Sequence, residues 1–134
     1  MADTLQLEIV TPDRLVQKDV AEEIQIPGKN GYLGILPGHA PLITELAVGE
    51  IIYRVGGRLT RVAVAWGFAE VLPDKVTILA ERAEKAEDID VKRAEDAKKR
   101  AEDRLHSAST EVDFERAQNA LDRAQTRIDV SQGK

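Results

Sequence analysis

The chain changes its hydrophobic rhythm once. Up to about residue 84, apolar and polar side chains alternate in short runs, the period of a strand; beyond residue 88 apolar positions recur every three to four residues, the period of a helix. In the first part Leu5, Leu7 and Ile9 alternate until Thr11-Pro12-Asp13 turns the chain. Val16 and Val20 belong to the next run, and Ile24 and Ile26 to one that ends at Pro27-Gly28. Lys29-Asn30-Gly31 is a turn; Leu33, Ile35 and Leu36 lead to another at Pro37-Gly38. Ile51, Tyr53 and Val55 run up to Gly56-Gly57, a two-residue hairpin signal, and Leu59, Val62, Val64 and Trp66 return with the phase slipping near Arg61. Residues 68–72 and 76–79 flank Pro73-Asp74-Lys75, a further hairpin. Short strands at spacings of about 8–12 residues predict an antiparallel β-sandwich or barrel.

The second part begins with IDVKRA at 89–94, and the pattern returns as VDFERA at 112–117. Each reads as a helix start. Asp90 and Asp113 stand at N-cap positions, with Ile89 and Ala94, or Val112 and Ala117, at the two positions of a hydrophobic staple. Ala94, Ala97, Ala101 and Leu105 form a stripe on the first helix; Ala117, Ala120, Leu121, Ala124 and Ile128 form one on the second. Two antiparallel helices joined by a polar turn at 107–111 follow. Their seam is mostly alanine, and at roughly 0.8 kcal/mol per buried methylene-sized group it contributes only a few kcal/mol. Such helices persist individually while packing weakly, which suits a hinged element.

Composition sharpens this division. Residues 1–88 carry 14 acidic and 9 basic side chains, whereas 89–134 carry 10 of each in about half the length. Eight of the nine glycines lie at or before Gly67 and the last proline is Pro73, so the boundary falls at 83–88, between a domain at 1–84 and a hairpin at 88–134. A net charge of −5 argues against non-specific nucleic-acid binding. With no cysteine there are neither disulfides nor thiolate metal sites. No apolar run reaches about 18 residues and MADTLQLEIV has no signal-like core, so a soluble protein is expected.

Catalytic patterns are lacking. His39 and His106 are far apart, no serine precedes Ser107, and no HExxH, phosphate-loop or EF-hand pattern occurs. His39 in LPGHAP reads as a structural or interface residue and His106 as a surface residue compatible with a helix C-terminus. One constellation remains. Arg93 and Arg100 share a face of the first helix, and Arg116, Arg123 and Arg127 a face of the second. Converging guanidinium groups favour phosphate. Spacing alone favours the blander reading, a solvated face paired with Glu95, Glu102, Glu115 and Asp122.

TPD at 11–13, GYLGILPGHAPLITEL at 31–46, PDKVTILAERAE at 73–84 and the hairpin from IDVKRA onward resemble the ε subunit of bacterial F-type ATP synthase, in order and over essentially the whole chain. The resemblance implies an α+β protein, a ten-stranded β-sandwich followed by a two-helix hairpin. It also implies a non-catalytic rotor subunit in the central stalk, bound to the γ subunit and the c-subunit ring, peripheral to the cytoplasmic face of the cell membrane. Such a subunit helps couple proton-driven rotation to ATP synthesis, and its helices restrain ATP hydrolysis when they extend toward an acidic loop of the β subunit. Lys98, Lys99, Arg100, Arg104, Arg116, Arg123 and Arg127 are the corresponding inhibitory contacts. No cofactor is implied; ATP is a regulatory ligand at an [IL]DxxRA motif that residues 89–94 satisfy. Carried over, Glu84, Ile89 and Asp90 lie toward the adenosine, and Arg93, Arg100, Arg123 and Arg127 toward the phosphates. The turn at Lys29, Asn30, Gly31 and Tyr32, with His39, is the expected c-ring and γ contact, Tyr32 replacing the acidic or small polar residue of some relatives. Two other readings are kept apart from this one: a free ATP-sensing module, and a small hydrolase, disfavoured by the missing nucleophile.

Overall fold

Alternation becomes strands wherever one face can be buried. The structure, a computed structural model, describes residues 3–133. Seven strands form one sheet: β1 (Leu5–Val10), β2 (Leu15–Ala21), β3 (Glu23–Gly28), β4 (Gly31–Ile35), β5 (Leu42–Val55), β6 (Arg58–Val71) and β7 (Lys75–Lys85). Their order is β2-β1-β7-β6-β5-β3-β4, antiparallel throughout except for β1 beside β7. The sheet curls until its two halves face each other. Edge strand β2 meets β5 across the core, where Gln17 donates to the Tyr53 hydroxyl at 2.6 Å and that hydroxyl donates to Asp19 at 3.2 Å. Leu5, Leu7, Ile9, Ile24, Ile26, Ile35, Ile51, Val62, Val71 and Ile78 fill the interior with no exposed surface.

The architecture is the expected sandwich plus hairpin, but with seven strands in place of ten among the described residues. Two strands, β5 and β6, are each 14 residues long, and β6 joins the runs read separately as 59–66 and 68–72. Core-facing residues on β6 are Val62 and Val64 on one side of Trp66-Gly67, and Ala69 and Val71 on the other, an odd spacing. The strand therefore exchanges faces at Trp66-Gly67, where both residues have positive φ (55° and 118°). A Cβ at Gly67 collides with the Leu79 carbonyl oxygen, so the corner requires glycine. The phase slip expected near Arg61 is thus a misreading. Leu59 simply lies on the outer face, and the flip comes later. Residues 62–65 are buried without alternation, because β6 is covered by the core on one face and by a helix on the other.

After β7 a short 3-10 turn (Ala86–Asp88) leads into α1 (Val91–Ser107), and α2 (Glu111–Gln132) follows. Asp90 caps α1, its carboxylate accepting from the Arg93 N–H at 3.1 Å. The second cap is Thr110, not Asp113. Thr110 Oγ1 accepts from the Asp113 N–H at 3.1 Å, which places Asp113 three residues inside the helix. Threonine with an acidic residue at N3 makes a complete helix start earlier than VDFERA. The two similar hexapeptides therefore occupy different places in their helices. The alanine seam forms as expected: Ala94 and Ala101 of α1 and Ala117 and Ala124 of α2 are buried. Of the two helices, α2 carries the main contact with β5 and β6, and α1 packs chiefly on α2. Ile89 joins Ala63 and Val130 in a small second core that ties the hairpin's base to the sandwich.

Candidate functional site

Of the five arginines found by spacing, Arg116 lines a separate pocket beside the turn between the helices, and the other four meet where the hairpin lies on the sheet. A cavity of about 270 Å³ opens there, floored by Val48, Ala63 and Ala65, walled by Ala97, Ala101 and Ala124, and rimmed by Arg82, Arg93, Arg100, Arg104, Arg123 and Arg127. Among the described residues Glu84 is the one carboxylate in its lining. Six guanidinium groups against a single acid leave a strong local excess of positive charge within a molecule of net charge −5.

Local structure explains each contribution. Arg82 and Glu84 stand two apart on β7 and so share a face. Glu84 is taken by Arg127: Nε lies 2.7 Å from Oε1, outside hydrogen-bond alignment, and Nη2 donates to Oε2 at 3.3 Å. Arg123 is held over the Trp66 ring at 5.2 Å from its centroid, a cation–π contact. Trp66 owes its aim to the left-handed corner of β6, a conformation that costs a non-glycine residue about 1–3 kcal/mol. Burial, and then the neighbouring Arg82, pull the Arg123 guanidinium below its ordinary pKa. The group stays charged nonetheless. Neither Arg82 nor Arg123 is in an ion pair among the described residues.

Of the residues assigned to an ATP site, Glu84, Arg93, Arg100, Arg123 and Arg127 line this one cavity. Ile89 and Asp90 do not; the first is buried in the small core and the second caps α1. Glu95, Glu102, Glu115 and Asp122 form no ion pair with these arginines among the described residues, so the bland reading loses its acids. Arg82 and Trp66 were passed over. Period-2 alternation with Glu84 was the available signal for Arg82; nothing local gave Trp66. Among the inhibitory contacts, Lys99, Arg100, Arg104 and Arg116 are exposed, while Lys98, Arg123 and Arg127 are half-buried.

The expected interface turn is partly engaged within the chain. Lys29 pairs with Glu45 at 3.0 Å, and His39 Nδ1 lies 2.7 Å from the Ala40 carbonyl. Tyr32 folds back, its hydroxyl accepting from the Glu50 N–H at 2.9 Å. Asn30 and Gly31 are exposed. A larger feature escaped the sequence. Ile43 (70% exposed), Phe68 (52%) and Leu79 (53%) lie together on the outer sheet face, Phe68 directly opposite Leu79.

Comparison with known proteins decides the family. Residues 4–86 match the profile described as ATP synthase, Delta/Epsilon chain, beta-sandwich domain, and residues 87–132 the long alpha-helix domain of the same chain. The chain belongs to the ATP synthase delta/epsilon family. It is 71% identical over 111 residues to the ATP synthase epsilon chain of Koribacter versatilis, covering 83% of this chain and 78% of that one. It is 48% identical over 102 residues to that of Solibacter usitatus, 76% of each. A chain of the Euglena gracilis mitochondrial ATP synthase structure (OSCP/F1/c-ring) shares the fold, with a TM-score of 0.81 at 22% identity over 94% of this chain and 80% of that one. As an epsilon chain it is an accessory subunit of ATP synthase, not a catalytic one. No described helix is long and apolar enough to cross a membrane.

Proposed function

We propose that this epsilon chain is a rotor subunit of the central stalk, that its sandwich binds the γ subunit and the c ring, and that its hairpin restrains ATP hydrolysis under the control of bound ATP. The observation that carries the regulatory part is the cavity itself. Six arginines on its rim supply charge-assisted donors for a triphosphate, and the alanine and valine surfaces beside them offer flat apolar walls for a base. Because the donors come from β7, α1 and α2 together, a ligand there cross-links hairpin to sandwich and favours the docked arm. Without it the arm rests on the small Ile89–Ala63–Val130 core, the Glu84–Arg127 pair and the Arg123–Trp66 contact. The freed arm then presents Lys98, Lys99, Arg100, Arg104, Arg116, Arg123 and Arg127 to an acidic loop of the β subunit. The apolar face of Ile43, Phe68 and Leu79 supports a stable subunit partner and argues against a free ATP sensor.

Deleting residues 88–134 is expected to raise ATP hydrolysis by the assembled enzyme while leaving assembly with γ intact; unchanged hydrolysis sinks the regulatory reading. Calorimetry is expected to detect ATP binding that Arg93→Ala and Arg123→Ala weaken. Absence of heat from the unmutated protein at millimolar ATP removes the ligand.

A further inference from the structure

Arg82 is placed differently from the other arginines of the cavity. It is the only one of the six on the sandwich; the others stand on the hairpin. Its strand neighbour Glu84 is engaged by Arg127, so Arg82 has no carboxylate among the described residues. Arg123 lines the same cavity, stacked on Trp66 and likewise without an ion pair among the described residues. Two guanidinium groups without an ion pair among the described residues, an exposed one from the sandwich and a half-buried one from the hairpin, therefore line one cavity.

We propose that Arg82 and Arg123 form a bridging anion seat, in which Arg82 supplies the sandwich's own phosphate contact and its repulsion of Arg123 opens the arm when the seat is empty. The proposal deepens the ATP reading given above and rests on it for the identity of the ligand. Physically, like charges brought to one cavity by docking disfavour the docked state by an amount that a shared phosphate reverses. Trp66 is what prevents the simple escape: a freely rotating Arg123 would swing into solvent, whereas one stacked on an indole stays in the cavity that Arg82 also lines. Occupancy and docking are thereby linked with one sign. A residue that only braced the folded arm would favour docking with or without ligand; Arg82 is assigned opposite effects in the two states.

That opposition supplies the test. Full-length protein and its Arg82→Ala variant are titrated with ATP and, separately, with inorganic tripolyphosphate; hydrogen exchange of α2 is followed without either. Loss of one charge-assisted phosphate contact is expected to weaken both anions roughly tenfold. Exchange of α2 in the ligand-free variant is expected to be slower. Binding within about twofold of the unmutated protein overturns the proposal. So does exchange of α2 in ligand-free Arg82→Ala that is unchanged, which removes the repulsion, or faster, which makes Arg82 a brace. Arg82→Lys, retaining the charge, is expected to restore most of the affinity, and binding as weak as that of Arg82→Ala overturns a seat built on charge. Tripolyphosphate binding that depends on Arg82 without any ATP binding keeps the seat and discards the nucleotide. No binding of either anion sinks both.

Discussion

The two halves of this molecule bury their apolar surface in different ways. The sandwich closes over isoleucine, leucine, valine and one tyrosine whose hydroxyl is satisfied by Gln17 and Asp19. The hairpin closes over alanine, with Ile128 and Val130 added near its base. A buried large aliphatic side chain contributes about 1.5–3 kcal/mol, an alanine methyl a fraction of that. The first half is thus a platform and the second an attachment. Polar groups are apportioned the other way: the sandwich interior holds no buried charged residue, while the hairpin is docked around an arginine-rimmed cavity. An element meant to move gains from weak apolar contacts and from electrostatic ones that a ligand can alter.

The largest test of this contrast is Ile51→Ala, fully buried in the sandwich. Urea unfolding should show a loss of about 2–5 kcal/mol, affecting both halves because the arm has no other surface to rest on. A loss confined to a few tenths would remove the platform. Next comes Ala101→Gly on the seam. It should cost the hairpin about 1 kcal/mol, visible as faster hydrogen exchange in α1 and α2 with the exchange of β5 and β6 unchanged. Equal acceleration in the sheet would mean that the halves unfold as one unit.

The smallest effect is electrostatic. Glu50 lies beneath α2, paired with Arg61 at 3.4 Å and near Tyr32. Burial raises its pKa above the ordinary 4.5, Arg61 opposing that shift and Asp129 of α2 adding to it. A carboxyl whose folded pKa is raised contributes most while protonated. Its contribution is full below 4.5 and is lost as pH climbs from there through the raised value. Glu50→Gln should flatten that part of the stability profile; an unchanged profile would show that the arm does not bury Glu50 in solution.

Much of the contrast was written in local sequence. The change of period near residue 84, the Asp90 cap and the Gly56-Gly57 turn (φ 57° and 80°) depend on neighbours a few positions away, and all three stand as read. Where local signals competed, the reading failed. Thr110 outbid Asp113 as a cap because a threonine three residues before an acidic N3 starts the helix sooner. Residues 42–50 concealed the first half of β5, since Gly49 looks like a break but lies packed against Pro27 and the Tyr32 hydroxyl.

Sequence by itself determined the kinds of element, the alanine character of the seam and the supply of arginines, because periodicity, capping and composition are properties of short stretches. Tertiary structure alone decided which arginines meet. Arg127 reaches Glu84 across 43 positions, and Trp66 holds Arg123 only because a strand turns over at Gly67. Those contacts arise from how a curled sheet presents its outer face to a helix, and no window of the chain contains both partners.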